Sequence, residues 1–297
     1  MDYYIQPEKI RDYLRLPDSF DETLINQKVG FESKIFPFFP KEFIDSIKDS
    51  TAEEEKNIYD FILTAGIFYS FILSIPKLKV NISNYGIENF TQAKTKAAPW
   101  WDVRDLGLSL LKDADMFMSL AIDMVDGNAG LRGQLPFFTE GNKYLQTPST
   151  VNEIYSIGKS PEVYKLLLPF IDMATDMQLM SKLQPCSIEQ IMGDEALAKK
   201  IRLALVYYAL YYASDFPNFI FITNGVAIQY EELPWQKSVV ISDERRRSLA
   251  NQFFNLAEQY VNFILKWIRS HPDDFPCYKE ASGGDPQIYK MKSGLYL

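Results

Sequence analysis

The chain carries the same succession of sequence signals twice, about 141 residues apart, and a repeat on that scale fixes the architecture before any single residue does. Pro7–Glu8–Lys9–Ile10–Arg11–Asp12–Tyr13–Leu14 finds its counterpart in Pro148–Ser149–Thr150–Val151–Asn152–Glu153–Ile154–Tyr155, each a short capped helix followed by a turn. A second helical segment follows, over residues 21–39 in the first copy and 161–183 in the second. Then comes a long helix. Ile58, Phe61, Ile62, Ala65, Tyr69, Ile72 and Leu73 recur at three and four residues, as do Ile201, Ala204, Leu205, Tyr208, Tyr211 and Tyr212. Acidic residues open both helices (Glu53–Glu55, Asp194–Glu195), where they suit the helix dipole, and Pro76 and Pro217 are expected to stop them.

After each proline the apolar period changes to two. Leu78 to Ser83, a turn at Asn84–Tyr85–Gly86 and a return over Ile87 to Phe90 spell one β-hairpin. Phe219 to Thr223, Asn224–Gly225 and Val226 to Tyr230 spell the other, with Asn-Gly supplying the positive φ of a type I′ turn. A last long helix closes each copy. It is marked by Val103, Leu106, Leu110, Phe117, Ala121 and Met124, and then by Leu249, Phe253, Leu256, Tyr260, Phe263, Ile264 and Trp267, with Ser242 as cap. The reading is a mainly α protein of two tandem related helical-bundle units, each with a projecting β-hairpin. Unit boundaries are expected at 1–143, with a hairpin near 78–91, and 144–278, with a hairpin near 219–230; residues 279–297 form a C-terminal arm.

Composition narrows the chemistry. Thirty-one Lys and Arg face 39 Asp and Glu, for a net charge of -8, the opposite of what phosphate neutralisation on a nucleic acid asks for. One His and two Cys leave little material for a zinc site or a histidine-dependent triad, so no enzyme, cofactor or metal is expected. Cys186 and Cys277 read as free thiols in a reducing compartment, a disulfide between them being the less favoured alternative. No leader is expected at the start, and the apolar stretch from Phe61 to Pro76 reads as too short for a bilayer, so the expectation is a protein made in a cytoplasm with no membrane contact.

Each polar feature has a structural reading. His271 follows the last long helix and precedes Pro272, which suits a helix C-terminus better than a catalytic base. Gly127, Gly130 and Gly133 with Arg132 lack the Lys–Ser/Thr of a phosphate loop and read as a flexible or subunit-contact loop. Asp115, Asp123 and Asp126 are expected on a shared, solvated helix face, with Asp113 nearby. Contacts with other polypeptides are expected at the hairpin turns (Asn84, Tyr85, Gly86, Asn224, Gly225), at Trp100 and Trp101, and at the basic run Arg245, Arg246 and Arg247. Tyr296 and Leu297 at the end of a docking arm complete the candidate interface.

Three stretches carry a family likeness: Val80–Asn81–Ile82–Ser83–Asn84–Tyr85–Gly86–Ile87; Lys94–Thr95–Lys96–Ala97–Ala98–Pro99–Trp100–Trp101–Asp102; and Val151–Asn152–Glu153–Ile154–Tyr155 with Leu168–Pro169–Phe170–Ile171. With them the chain resembles an uncharacterised family of duplicated helical proteins of Bacteroidetes and their phages, crAss-like phages among them. Such helical units with a hairpin look like phage head–tail connectors. The resemblance implies a virion neck or adaptor subunit, a homo-oligomeric ring of about twelve copies beneath the portal protein, neighbouring neck or tail proteins, and genome DNA met only in passage. The alternative is a soluble helical scaffold or binding protein with no place in a particle.

Overall fold

A computed structural model describes residues 5–16, 18, 20–78, 80–83, 86–89, 99–139, 141–216, 219–222, 225–228 and 242–278. The protein is mainly helical and divides into two compact units, unit 1 comprising residues 1–168 and 217–241 and unit 2 residues 169–216 and 242–297.

Unit 1 opens with a 3-10 helix at Pro7–Asp12 and a 3-10 turn at Glu22–Leu24. Helix α1 (Gln27–Gly30) then runs into a π-helical turn, Phe31–Ile35. The segment expected as one helix over 21–39 is thus broken, because Asp21 and Asn26 each turn a side chain onto a backbone N–H ahead, at Thr23 (3.0 Å) and Val29 (3.3 Å), and start a new turn. Helices α2 (Lys41–Lys48) and α3 (Glu53–Leu78), strands β1 (Val80–Ser83) and β2 (Gly86–Asn89), and α4 (Trp100–Gly127) follow. Short helices α5 (Ala129–Arg132), α6 (Pro136–Thr139) and α7 (Pro148–Asn152) lead to α8 (Pro161–Ala174), and the boundary between units falls within α8.

Helix α3 passes through Pro76 instead of stopping before it. A proline removes one ladder hydrogen bond, and so close to the helix end no full turn depends on the bond it loses. At 26 residues α3 is also longer than the apolar stretch inside it suggested, and it is apolar enough to cross a membrane by length and composition alone. Over half of that stretch is buried inside the protein, which accounts for its composition as that of a core helix.

Two neighbours bury α3. Helix α4 runs antiparallel to it: Asn128 donates to Glu54 at one end (3.1 Å), Gly107 faces Ile75 at the other, and the rings of Phe61 and Phe68 meet Phe117 between them. On another side α1 and its π turn approach to backbone contact. A β-carbon on Gly30 would lie 2.1 Å from the Ser70 hydroxyl, and one on Gly66 would lie 2.4 Å from the Phe31 ring. Phe31, Ile35, Ile58, Ile62, Met118 and Ile122 are among the side chains sealed in the core these helices share.

Both strand pairs are antiparallel. Ser83 pairs with Gly86 and Ile222 with Gly225, so the two-residue connections are 84–85 and 223–224. Gly86 and Gly225, expected in the turns, are instead the first residues of β2 and of β4 (Gly225–Ile228), whose partner is β3 (Phe219–Ile222). A two-residue connection closes each pair one residue earlier than the sequence reading placed it. Asn84, Tyr85 and Asn224 lie outside the described residues.

In unit 2, α8 continues through a second π turn, Thr175–Leu179, into α9 (Met180–Leu183). Ser187 and Gln190 form a capping box at α10 (Ile188–Met192). Asp194 caps α11 (Glu195–Ala213) and Ser242 caps α12 (Asp243–Ser270). Helices α11 and α12 pack together, with Tyr207 stacked between Phe253 and Tyr260 at 6.2 and 6.0 Å. The buried line of α12 is Ala250, Phe253, Ala257, Val261, Ile264 and Ile268, whereas Phe263 and Trp267, expected in the core, are exposed. In α4 likewise Leu106 is exposed and the buried line runs through Ala114, Met118, Ala121, Ile122 and Val125.

Cys186 and Cys277 are joined in a disulfide, their Cα atoms 5.1 Å apart, which corrects the free-thiol reading. Ninety-one residues separate them in sequence, and the packing of α12 on α11 and α9 returns Cys277 to the segment before α10. The loop expected over Gly127–Gly133 is also corrected. Asn128 caps Gly130 and Leu131 (3.1 and 3.2 Å), converting it into α5, and Arg132 pairs with Asp126 at 3.3 Å.

Three outcomes are expected from the close approach of α3 and from the disulfide. Gly66→Ala is expected to lose ~2 kcal/mol in urea unfolding, since the Phe31 ring must shift and helix propensity returns only part of that cost. Gly107→Ala, whose new methyl would meet only Ile75 at 3.9 Å, is expected to be neutral or stabilising. Cys186→Ser, or reduction of the native protein, is expected to lower stability by roughly 2–4 kcal/mol in the same assay, because closing so long a loop restricts the unfolded chain.

Candidate functional site

Two polar clusters interrupt the apolar packing, one in each unit. In unit 1, Tyr69 on α3 donates its hydroxyl to Asp115 on α4 in a short hydrogen bond, and the buried Ser160 hydroxyl, just ahead of α8, is the carboxylate's other close neighbour. Asp115 is 5% exposed, which corrects its expected place on a solvated face. The charged pair Lys34–Glu162, from the π turn and the first turn of α8, lies close enough to act on it. Burial pushes the Asp115 carboxyl up to about 6; the hydrogen bond from Tyr69 and the nearby Ser160 hydroxyl oppose that, and the negative charge of Glu162 adds to it.

Further along α4, Asp123 accepts from Ser149 of α7 at 2.5 Å. Burial raises its carboxyl, against the hydrogen bond from Ser149 and the nearby Thr147 hydroxyl. Asp126 is taken by Arg132. The three carboxylates expected to share a solvated face are therefore spent on holding α4 to α3, α5 and α7.

In unit 2, Tyr208 on α11 donates to Glu258 on α12 at 2.7 Å, and Lys182 of α9 both pairs with Glu258 and donates to the Tyr208 hydroxyl at 2.9 Å. The Lys182 ammonium also lies over the rings of Tyr208 and Phe254, at 5.1 and 5.6 Å. Burial pushes the Glu258 carboxyl up, but the bonds from Lys182 and Tyr208 together leave it below the usual carboxylate range. The Tyr208 hydroxyl is held well above its ordinary value by burial and by its bond to Glu258. Beside this cluster Gln178 donates to Tyr212 at 2.6 Å.

Sequence reasoning placed Tyr69 and Tyr208 in apolar stripes and passed over Lys34, Ser160, Glu162, Lys182 and Glu258. The available signal was the tyrosines themselves: a buried phenol needs a partner for its hydroxyl, and at these positions a carboxylate on the facing helix supplies it. The arrangement clasps one helix to another. Among the described residues no group of three or more His, Cys, Asp and Glu is gathered as a metal would require.

Of the expected interface residues, Trp101 and the run Arg245, Arg246 and Arg247 are on described helices. Trp101 is exposed in the first turn of α4. Arg245 and Arg247 are exposed in the first turns of α12, and Arg246 is half-buried and paired with Asp243 at 3.2 Å. Both positions open a 28-residue helix that follows a strand pair. The side chain of Trp100 lies outside what the structure describes, as do Tyr296 and Leu297. His271 caps the end of α12, its ring stacked on Trp267 at 4.3 Å and its Nδ1 3.0 Å from the Trp267 carbonyl.

These features define a helical protein whose long helices are joined pairwise by tyrosine–carboxylate bonds. The profile of DUF6712, a family of unknown function, matches it over residues 24–131 and again over 166–288, and the chain belongs to that family. No curated protein and no solved structure matches the chain.

Asp115 yields a test. In the unfolded chain an aspartate titrates near 3.9 and in this fold near 6, so the fold binds the proton more tightly. Its favourable contribution is complete below about pH 4 and is lost as pH rises through 6. Asp115→Asn keeps an acceptor for Tyr69 without the charge. It is expected to stabilise the protein by about 1–3 kcal/mol at pH 8, with little effect at pH 4, as read from urea unfolding at the two values.

Proposed function

We propose that this protein is a structural subunit built from two copies of one helical module, and that it serves in the head–tail connector of a phage, as a ring between portal and tail through which DNA passes. The observation that carries the reading is the recurrence of one element order. A short Pro-led helix (Pro7–Asp12, Pro148–Asn152) comes first, then a helix with a π turn (Phe31–Ile35, Thr175–Leu179). A short helix (α2, α10), a long helix (α3, α11), an antiparallel strand pair and a 28-residue helix (α4, α12) complete each copy. In each copy a tyrosine of the long helix donates to a carboxylate of the 28-residue helix. The match of the family profile to two successive stretches supports the same duplication.

The polar side chains set into these helices fasten helix to helix, which suits a protein that works by holding other polypeptides. Each strand pair leads into an exposed aromatic or basic helix start, and these are the natural contact elements: Trp101 in one copy, Arg245 and Arg247 in the other. The resemblance to connector families supplies the particle, the ring, the portal as neighbour and the virion as location.

The test is direct. Purified chain mixed with the cognate portal and imaged by electron microscopy is expected to show a ring seated on the portal, and mass spectrometry of purified virions is expected to recover the chain at the portal's copy number. Virions that lack the chain would overturn the connector and leave a helical scaffold that works outside the particle.

A further inference from the structure

The run from α8 through its π turn into α9 sets three methionines on one outer face of unit 2. Met173, Met177 and Met180 are 38%, 62% and 53% exposed, at spacings of four and three residues. Methionine ranks among the residues most often fully buried, and leucine serves a helix equally well, so three thioethers in a row in water call for a reason other than packing. The π turn of unit 1 argues the same way. At the same steps from its start stand Val29, Ser33 and Phe36, with Lys28 and Glu32 paired nearby at 3.8 Å. The turn can therefore be built without sulfur.

Side chains three and four apart on a helix start ~5–6 Å from each other, and the whole set spans ~10 Å along the axis. A thioether sits on an unbranched stem with three rotatable bonds, so the outer two can lean towards the middle one and bring three sulfurs round a single point. The high exposure of Met177 and Met180 leaves those stems free to turn. Thioethers are soft, uncharged donors. They suit soft cations of low charge and discriminate against magnesium, calcium and zinc, which take carboxylate, imidazole or thiolate ligands. Asp176, exposed between Met173 and Met177 in sequence, adds a negative field that favours a cation. The π turn falls in the middle of the set, and such turns interrupt helices frequently at functional sites. Competing soft donors are occupied: Cys186 and Cys277 spend their sulfurs on each other, and the His271 ring is stacked on Trp267.

We infer that Met173, Met177 and Met180 form a three-thioether site for one soft monovalent cation, Cu(I) or Ag(I). The site lies within unit 2 and does not depend on the connector reading.

Cu(I) is kept reduced by agents that would also open the Cys186–Cys277 bond, so Ag(I), added as nitrate in chloride-free buffer, is the probe. It is titrated into the full-length oxidised protein, isotope-labelled at the methionine methyl groups and followed by NMR. The methyl signals of Met173, Met177 and Met180 are expected to move together and to saturate at one Ag(I) per chain. Met116, 40% exposed on α4, is expected to stay where it is. Met177→Leu is expected to weaken binding at least ~10-fold, and Met180→Leu repeats the test one turn on. Leucine matches methionine in helix propensity, so both variants keep the helix, and Met116→Leu is expected to bind as the parent does. Zn(II) is expected to move none of the three signals. Absence of saturation below ~1 mM Ag(I), three methyls that titrate independently, undiminished binding by both leucine variants, or an equal response to Zn(II) would each overturn the inference.

Discussion

Helix α3 is held so close to α1 that no side chain fits between them, and the rest of unit 1 is arranged around that approach. Two of the positions that meet α1 and the π turn are occupied by glycine on one side or the other: Gly30 against Ser70, and Gly66 against Phe31. Ser70 and Ser74 then make the contact polar as well as tight. Ser70 donates to the Gln27 carbonyl of α1 at 3.3 Å as well as to Gly66 within its own helix at 2.5 Å, and Ser74 accepts from the Asn26 N–H at 2.9 Å. The bonds to Gln27 and Asn26 favour one rotation of α3 against α1. That rotation turns Tyr69, the residue before Ser70, onto α4 and its Asp115. A carboxylate taken from water costs several kcal/mol unless it is paired or neutral, and one phenol bond with a serine nearby covers only part of that cost. The raised carboxyl is the residue of the unbalanced account, a direct result of how the glycines set α3.

Unit 2 makes the same connection with the opposite balance. Glu258 is a longer side chain on a less buried stretch of helix, and Lys182 brings a full positive charge to it. The tyrosine bond is common to both clusters, yet one carboxyl is driven up and the other down. What separates them is the cation. Lys34, the nearest ammonium to Asp115, is already bonded to Glu162, so its charge is largely cancelled where it matters. In unit 2 the same ammonium bonds the carboxylate directly and also lies over two aromatic rings, which lowers the cost of holding it there.

Much of the helix content was legible because it rests on local signals. The caps at Ser242 and Asp194, the acidic first turn of α3 and the apolar stripes at Ile58–Ile62–Ala65 and Ile201–Ala204–Leu205 all act within a few residues of themselves. The rotation of a helix is less local. On α12 the large aromatics Phe263 and Trp267 dominate any sequence pattern, while the line that packs is drawn by Ala250, Ala257 and Val261, small residues that admit the neighbouring helix. The clasps and the disulfide were hidden for a related reason. Tyr69 with Asp115, Tyr208 with Glu258 and Cys186 with Cys277 are each pairings across the fold, and nothing near either partner marks the other.

The stabilising devices of the two units also answer to different chemistry. Unit 1 contains a buried carboxyl poised near 6 and no cysteine, so its stability changes with proton concentration and is indifferent to thiols. Unit 2 contains the disulfide, which makes it sensitive to reductant, and a carboxyl held down by an ammonium, whose contribution is lost as pH falls through its lowered range. The two units have thus been completed by long-range contacts of two kinds. A helix pair needs one cross-bond to fix its rotation, and a tyrosine–aspartate bond in a dry setting or a tyrosine–glutamate–lysine triad in a half-wet one each meets that need.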